Sequence, residues 1–161
     1  MMPFPSKRLR GIAVTALLVA SPIVPASPAS AQRVQRVVSV YDGDTATVFG
    51  VGSVRFAGYD TPERGTRARC PREARLALEA RDVLAALVAD GVTLRRAVDD
   101  RGRLQVDRER WGRPLRTATT ADGRDVADAM LAARSADGSA LAVPYWGHGP
   151  RMDWCKPGAG R

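Results

Sequence analysis

The chain has little of what most metal and imidazole chemistry requires. It holds one histidine, His148, and two cysteines, Cys70 and Cys155, far apart in sequence. Zinc sites draw three or four nitrogen or sulfur ligands from short, regular spacings, so a zinc centre is not expected here. Long apolar runs are missing too. The longest, Gly11 to Ala20, is roughly half of the ~20 residues that a membrane-spanning helix needs. There is no internal repeat, and 161 residues is a one-domain length. Past the first ten residues the only lysine is Lys156, so arginine carries the positive charge.

What is present begins with an export-type segment. Lys7, Arg8 and Arg10 form a basic start, an apolar stretch follows, and a Pro/Ser/Ala-rich segment ends in the small-x-small pattern Ala29-Ser30-Ala31. The reading is a signal peptide over 1–31, cleaved to leave Gln32 first, and a periplasmic or secreted protein. The alternative is an uncleaved tail or anchor. Three of the 25 basic residues and none of the 17 acidic ones lie in 1–31, which leaves a net charge of +5 for 32–161. Such a surface attracts polyanions, chiefly nucleic acid or anionic lipid. Export to an oxidising compartment makes a Cys70–Cys155 disulfide the expectation, with two free thiols as the alternative.

Residues 34–41 are valine-rich and stop at the turn pair Asp42-Gly43. Residues 45–49 and 53–59 alternate in polarity, so three short strands joined by tight turns are expected. Pro71 then opens a helix whose apolar stripe is Leu76, Ala80, Val83, Leu84, Leu87 and Val88, stopped by Asp90-Gly91. Further strands are expected at 92–98 and within 115–120, separated by a charged hairpin or loop over 99–114. A second helix covers 125–134. From Ser135 the chain is Gly/Pro-rich, and from about 143 it reads as an irregular tail. This order predicts an α+β fold: a five-stranded OB-fold β-barrel with a helix between strands 3 and 4 and a C-terminal helix, one domain over 32–161. Such barrels often bind oligonucleotides.

Three clusters carry candidate chemistry. Asp42-Gly43-Asp44-Thr45 places a second carboxylate just after a turn. Arg55 precedes Asp60-Thr61-Pro62-Glu63 by five residues. Glu109-Arg110-Trp111-Gly112-Arg113-Pro114 adds two more arginines. Hard cations take carboxylate, carbonyl and water oxygens, which Asp44, Asp60 and the Thr61 carbonyl would supply if the strands bring them together. Glu63 is then left to position or deprotonate a water. Arg55 and Arg113 are suited to hold a phosphate and the charge that develops around phosphorus.

In this order and spacing the clusters resemble the staphylococcal nuclease (thermonuclease) family over about 34–141. The resemblance rests on Asp-Gly-Asp-Thr at 42–45, Val-Arg-Phe-Ala-Gly-Tyr-Asp-Thr-Pro-Glu at 54–63 and Trp-Gly-Arg at 111–113. It implies an OB-fold, one Ca²⁺, and hydrolysis of DNA or RNA to 3′-phosphate products. The implied metal ligands are Asp44, Asp60 and the Thr61 carbonyl, the implied catalytic residues Arg55, Glu63 and Arg113. Tyr145 and Arg110 are candidate substrate contacts. Mg²⁺ or Mn²⁺ also suits two carboxylates and a carbonyl. A monomer with no stable protein partner is expected. The rival functions are a non-catalytic OB-type nucleic-acid binder and a basic domain for membrane surfaces.

Overall fold

The computed structural model describes residues 33–158; the expected signal segment 1–31 and Gln32 lie outside them. The valine-rich start folds as a meander of β1 (Val37–Asp42), β2 (Thr45–Val48) and β3 (Gly52–Phe56). β1 and β2 are antiparallel, with Asp42 opposite Thr45 across the two-residue turn Gly43-Asp44. Alternation along the meander buries Ala46, Val48, Val54 and Phe56. It leaves Thr45 facing Arg55 across β2 and β3.

The expected third strand, 53–59, is broken in two. Gly58 has φ 93, a left-handed conformation that a side chain disfavours, and it redirects the chain out of the main sheet. The next three residues form β4 (Gly58–Asp60), which pairs antiparallel with β7 (Val143–Tyr145). The segment expected to be an irregular tail therefore contributes a strand. Three residues centred on Pro144 are too few to display alternation, which is why the strand is hidden in the sequence.

Helix α1 (Pro71–Leu87) starts on Pro71 and buries Leu76, Ala77, Ala80 and Leu84, as the apolar stripe requires. After it come β5 (Val92–Arg96) and β6 (Leu115–Thr120), antiparallel to each other, with β6 parallel to β3. The main sheet has the order β1-β2-β3-β6-β5. A bridge of two backbone hydrogen bonds, 2.7 and 2.9 Å, joins Gln35 ahead of β1 to Val92 at the start of β5. The stretch 99–114 is the expected exposed excursion. It makes two tight turns, in which Asp99 and Glu109 each donate a backbone N–H to the carbonyl four residues on, at Arg103 and Arg113. Helix α2 (Val126–Ala132) begins on the Asp125 side chain, which accepts the Asp128 N–H. It stops short of the expected Arg134, which pairs with Ala140 instead. The described residues thus form a mixed α+β fold with a five-stranded sheet, a two-stranded sheet and two helices. Among them no helix is long and apolar enough to cross a membrane.

One hydrophobic core runs under both sheets, with Phe56, Tyr59, Leu76, Leu84, Met130 and Leu141 fully buried. Trp154 joins it from the C-terminal segment. That segment is also tied down covalently, since Cys70 and Cys155 form a disulfide with a Cα–Cα distance of 5.9 Å across a separation of 85 residues. Cys70 is at the same time the N-cap of α1. On the chain-entropy account, closing a loop of this length stabilises the fold by roughly 4–5 kcal/mol. The Cys70→Ser/Cys155→Ser double variant should lose about 2–5 kcal/mol in urea denaturation. A loss under about 1 kcal/mol would show that the core alone holds the C-terminal segment.

Candidate active site

Each candidate side chain is positioned by a local feature of the fold. Asp44 sits in the β1–β2 turn, which lies tight against α1. A Cβ on Gly43 would come within 2.8 Å of Ala80 Cβ and of Thr61 Cγ2, so only glycine fits there without displacement. The buried Tyr59 hydroxyl donates to the Gly43 carbonyl at 3.1 Å. The turn is also tied to the sheet, because Phe56 N–H donates to the Asp44 carbonyl at 2.8 Å. Arg55 is held in β3 between β2 and β6. Its N–H donates to the Pro114 carbonyl, which brings Arg113 alongside. The Gly58 kink turns β4 so that Asp60 is presented to the same place.

The charged groups form a closed ring of contacts. Arg55 Nη1 lies 2.5 Å from Asp44 Oδ2 and Arg55 Nη2 lies 3.1 Å from Asp60 Oδ1. Asp60 Oδ1 also accepts from Arg151 Nη2 at 2.7 Å, and Arg151 Nη1 donates to Glu63 Oε1 at 2.7 Å. Glu63 Oε2 pairs with Arg67 Nε at 2.9 Å, and Arg67 Nη2 reaches Asp42 Oδ2 at 3.5 Å. Asp42 Oδ1 accepts the Asp44 N–H at 3.3 Å, which closes the ring. Arg113 joins through a hydroxyl: its Nη1 donates to Thr45 Oγ1 at 3.0 Å, and Thr45 donates to Asp44 Oδ1 at 2.8 Å. Glu109 fixes the Arg113 guanidinium from behind, at 3.0 Å from Nε.

Burial makes these contacts consequential. Asp44 and Asp60 are 3 % and 2 % exposed. Burial and the neighbouring Asp44 charge push the Asp42 carboxyl up to about 7. Asp60 is also raised, because burial outweighs the attraction of Arg151 and Arg55. Burial would lower the Arg55 guanidinium, but the charges of Asp44 and Asp60 overcome this and hold it above its ordinary value. A second network supports the loop carrying Glu63. The buried Glu73 carboxylate accepts from Arg69 N–H at 2.7 Å and Arg69 Nε at 3.1 Å, and from Glu63 N–H at 3.5 Å.

Five of the expected site residues, Asp44, Arg55, Asp60, Glu63 and Arg113, are therefore brought together. Thr61 is buried beside them and donates its hydroxyl to Asp44 Oδ2 at 3.3 Å. Tyr145, in β7, lies beneath the Arg151 guanidinium, 5.8 Å from the ring centroid. Arg110 is not part of the ring; it stacks on the exposed Trp111 at 4.7 Å. Sequence reasoning missed Arg67, Arg151 and Glu73. Arg151 had a signal: it stands four residues before Cys155, whose expected bond to Cys70 draws this segment to the loop after Asp60.

The donors are hard oxygens, the type that Ca²⁺, Mg²⁺ or Mn²⁺ prefers. Their arrangement is not a cation cage. Asp44 and Asp60 both carry guanidinium groups, and among the described residues no three acidic, histidine or cysteine side chains group as a metal site. The chain matches no protein-family model and no curated protein.

The ring makes Arg55 the counter-charge of two buried carboxylates. Removing one partner of a buried pair commonly costs about 3–5 kcal/mol. Arg55→Met should lose about that much at pH 7.5 in urea denaturation, and less at pH 4.5. Burial already raises the Asp60 carboxyl, and without Arg55 the folded state takes up a proton there more readily than the unfolded chain, so acid restores part of the stability. An equal loss at both pH values would contradict this charge balance.

Proposed function

We propose that the chain is an exported, divalent-cation-dependent nuclease that hydrolyses phosphodiester bonds of DNA or RNA, of the staphylococcal nuclease type on an OB-type barrel. The observation that carries this reading is the convergence of Glu63, Arg55 and Arg113 with two buried carboxylates. The sheet order β1-β2-β3-β6-β5, with the Gln35–Val92 bridge between its two ends, supports the barrel. The net positive charge supports a polyanionic substrate.

In this reading Glu63 takes a proton from a water as the water oxygen forms its bond to phosphorus. Arg55 and Arg113 donate hydrogen bonds to the phosphoryl oxygens, where negative charge grows in the transition state. A guanidinium has five N–H donors, so Arg55 can hold Asp44 and Asp60 and still offer others. The P–O5′ bond breaks, the 5′-oxygen leaves and takes up a proton from solvent water, and the phosphate stays on the 3′ side. Tyr145 offers a ring for a base or sugar next to the reacting phosphate. A bound divalent cation would add charge stabilisation from the Asp44 and Asp60 side.

The competing reading is an OB-type nucleic-acid binder without turnover. The ion pairs of Glu63 favour it, since Arg67 holds one of its oxygens and Arg151 the other. Glu63→Gln separates the two. The nuclease reading expects single-stranded DNA binding within about threefold of the parent chain and cleavage slowed by about 10²–10⁴-fold. Unchanged cleavage would remove Glu63 from the reaction, and binding with no cleavage by either chain would favour the binder.

A further inference from the structure

Tyr41 occupies an irregularity in β1. Val40 pairs with Ala46 and Asp42 with Thr45, so Tyr41 is an extra residue with none opposite it on β2. Bulges of this kind occur beside active sites, where they re-aim a side chain. Here the side chain is 52 % exposed, next to the buried Asp42 of the charge network. Two guanidiniums lie over its aromatic ring, Arg64 at 4.8 Å and Arg67 at 5.8 Å from the centroid. We propose that Tyr41, Arg64 and Arg67 form a second nucleotide subsite, which takes an unpaired base on the Tyr41–Arg64 stack and the adjoining phosphate on Arg64. This rests on the nucleic-acid part of the preceding reading.

Arg64 has charge to spare. Its head donates to the Tyr41 carbonyl, and among the described residues it pairs with no carboxylate. The arginines around it are committed. Arg55 and Arg151 hold Asp44, Asp60 and Glu63, Arg67 holds Glu63 and Asp42, and Arg113 is held by Glu109. The network of Asp42, Asp44, Asp60 and Glu63 with Arg55, Arg67 and Arg151 has no positive excess to offer a polyanion. The positive group that meets a strand therefore lies beside the network, and Arg64 follows Glu63 directly in the chain. Its loop is anchored on both sides of it, because Glu73 accepts the Glu63 N–H at 3.5 Å and the Arg69 N–H at 2.7 Å.

A guanidinium plane stacks on a base as an aromatic ring does, so Arg64 layered on Tyr41 extends the platform. Its edge N–H groups remain for phosphate oxygens. Arg67 joins this platform to the reacting groups, since it touches the Tyr41 ring and places Nε 2.9 Å from Glu63 Oε2. Arg151 makes the matching link from Glu63 Oε1, at 2.7 Å, to the ring of Tyr145. A strand that reaches from Tyr41 to Tyr145 thus passes Glu63 with a nucleotide on either side of it. In a duplex the base faces are closed by their neighbours, so the subsite selects unpaired strands.

The test is fluorescence anisotropy with the full chain in chelator, using a labelled oligothymidylate of about twelve nucleotides and a duplex of equal length. Far-UV circular dichroism and the melting temperature check that each variant folds. Tyr41→Ala should weaken strand binding about tenfold and duplex binding less than about twofold. Tyr41→Phe keeps the ring and should bind as the parent does. Arg64→Gln should weaken strand binding and lower the slope of log affinity against log salt by about 0.7, one phosphate contact. Strand binding unchanged in both Tyr41→Ala and Arg64→Gln overturns the inference and leaves the nuclease reading standing. Equal weakening on strand and duplex in Tyr41→Ala overturns it as well, since no unpaired base would then be read. Binding to phosphatidylserine vesicles that Arg64→Gln abolishes, with strand binding unchanged, assigns the patch to a membrane surface and overturns it. No strand binding by the parent overturns the nucleic-acid reading and this inference with it.

Discussion

The pairing of Arg55 with Asp44 and Asp60 is the constraint on which the site depends. Three charged groups from β3, the β1–β2 turn and β4 meet where water is largely excluded. Desolvating a charge costs several kcal/mol, so none of the three would be tolerated there alone. Much of the local architecture follows. Gly43 must lack a side chain for the turn to approach α1 and Thr61. Gly58 must bend the chain so that Asp60 leaves the main sheet and faces back toward Arg55. Thr45, opposite Arg55 in the sheet, then links Asp44 to Arg113.

A second constraint comes from the C-terminal segment. The Cys70–Cys155 bond, the burial of Trp154 and the β4–β7 pairing hold residues 143–155 against the edge of the site. Glu73, one turn into α1, sits beside the disulfide and supports the 63–69 loop through Arg69 and the Glu63 N–H. The redox state of two cysteines, the start of a helix and the position of Glu63 are thus physically connected. This is stabilising through loop closure, and it also sets which charges Glu63 meets.

Much of this was legible in the sequence, and the reasons are local. The apolar stripe from Leu76 to Val88, the Pro71 start and the Asp90-Gly91 stop specify α1 with no tertiary information. The meeting of Asp44, Arg55 and Asp60 was expected from the resemblance carried by the Asp-Gly-Asp-Thr and Arg55-to-Glu63 motifs, and the register that sets Thr45 opposite Arg55 is part of what brings them together. What was hidden depends on contacts distant in sequence. The three-residue strand β7 exists only because β4 offers it a partner. Arg151 lies 91 residues from Asp60, and nothing near it in the sequence marks it as a site residue except its distance from Cys155. Glu73 stands in the first turn of α1, where an acid is common, and its burial and its pairing with Arg69 depend on how the 63–69 loop packs on the helix.

The site combines groups suited to attack on a phosphodiester with a guanidinium, Arg151, that pairs with Asp60 and Glu63. Catalysis on this account requires both the Arg55-centred geometry and a route by which substrate and cation gain access to it. The most direct measurement is cleavage of single-stranded DNA and RNA by the full chain in Ca²⁺, Mg²⁺, Mn²⁺ or chelator, with end-group analysis of the products. A nuclease of this kind cleaves with at least one cation and not in chelator, and its products end in 3′-phosphate. Nucleic-acid binding with no cleavage under any of these conditions would contradict the account.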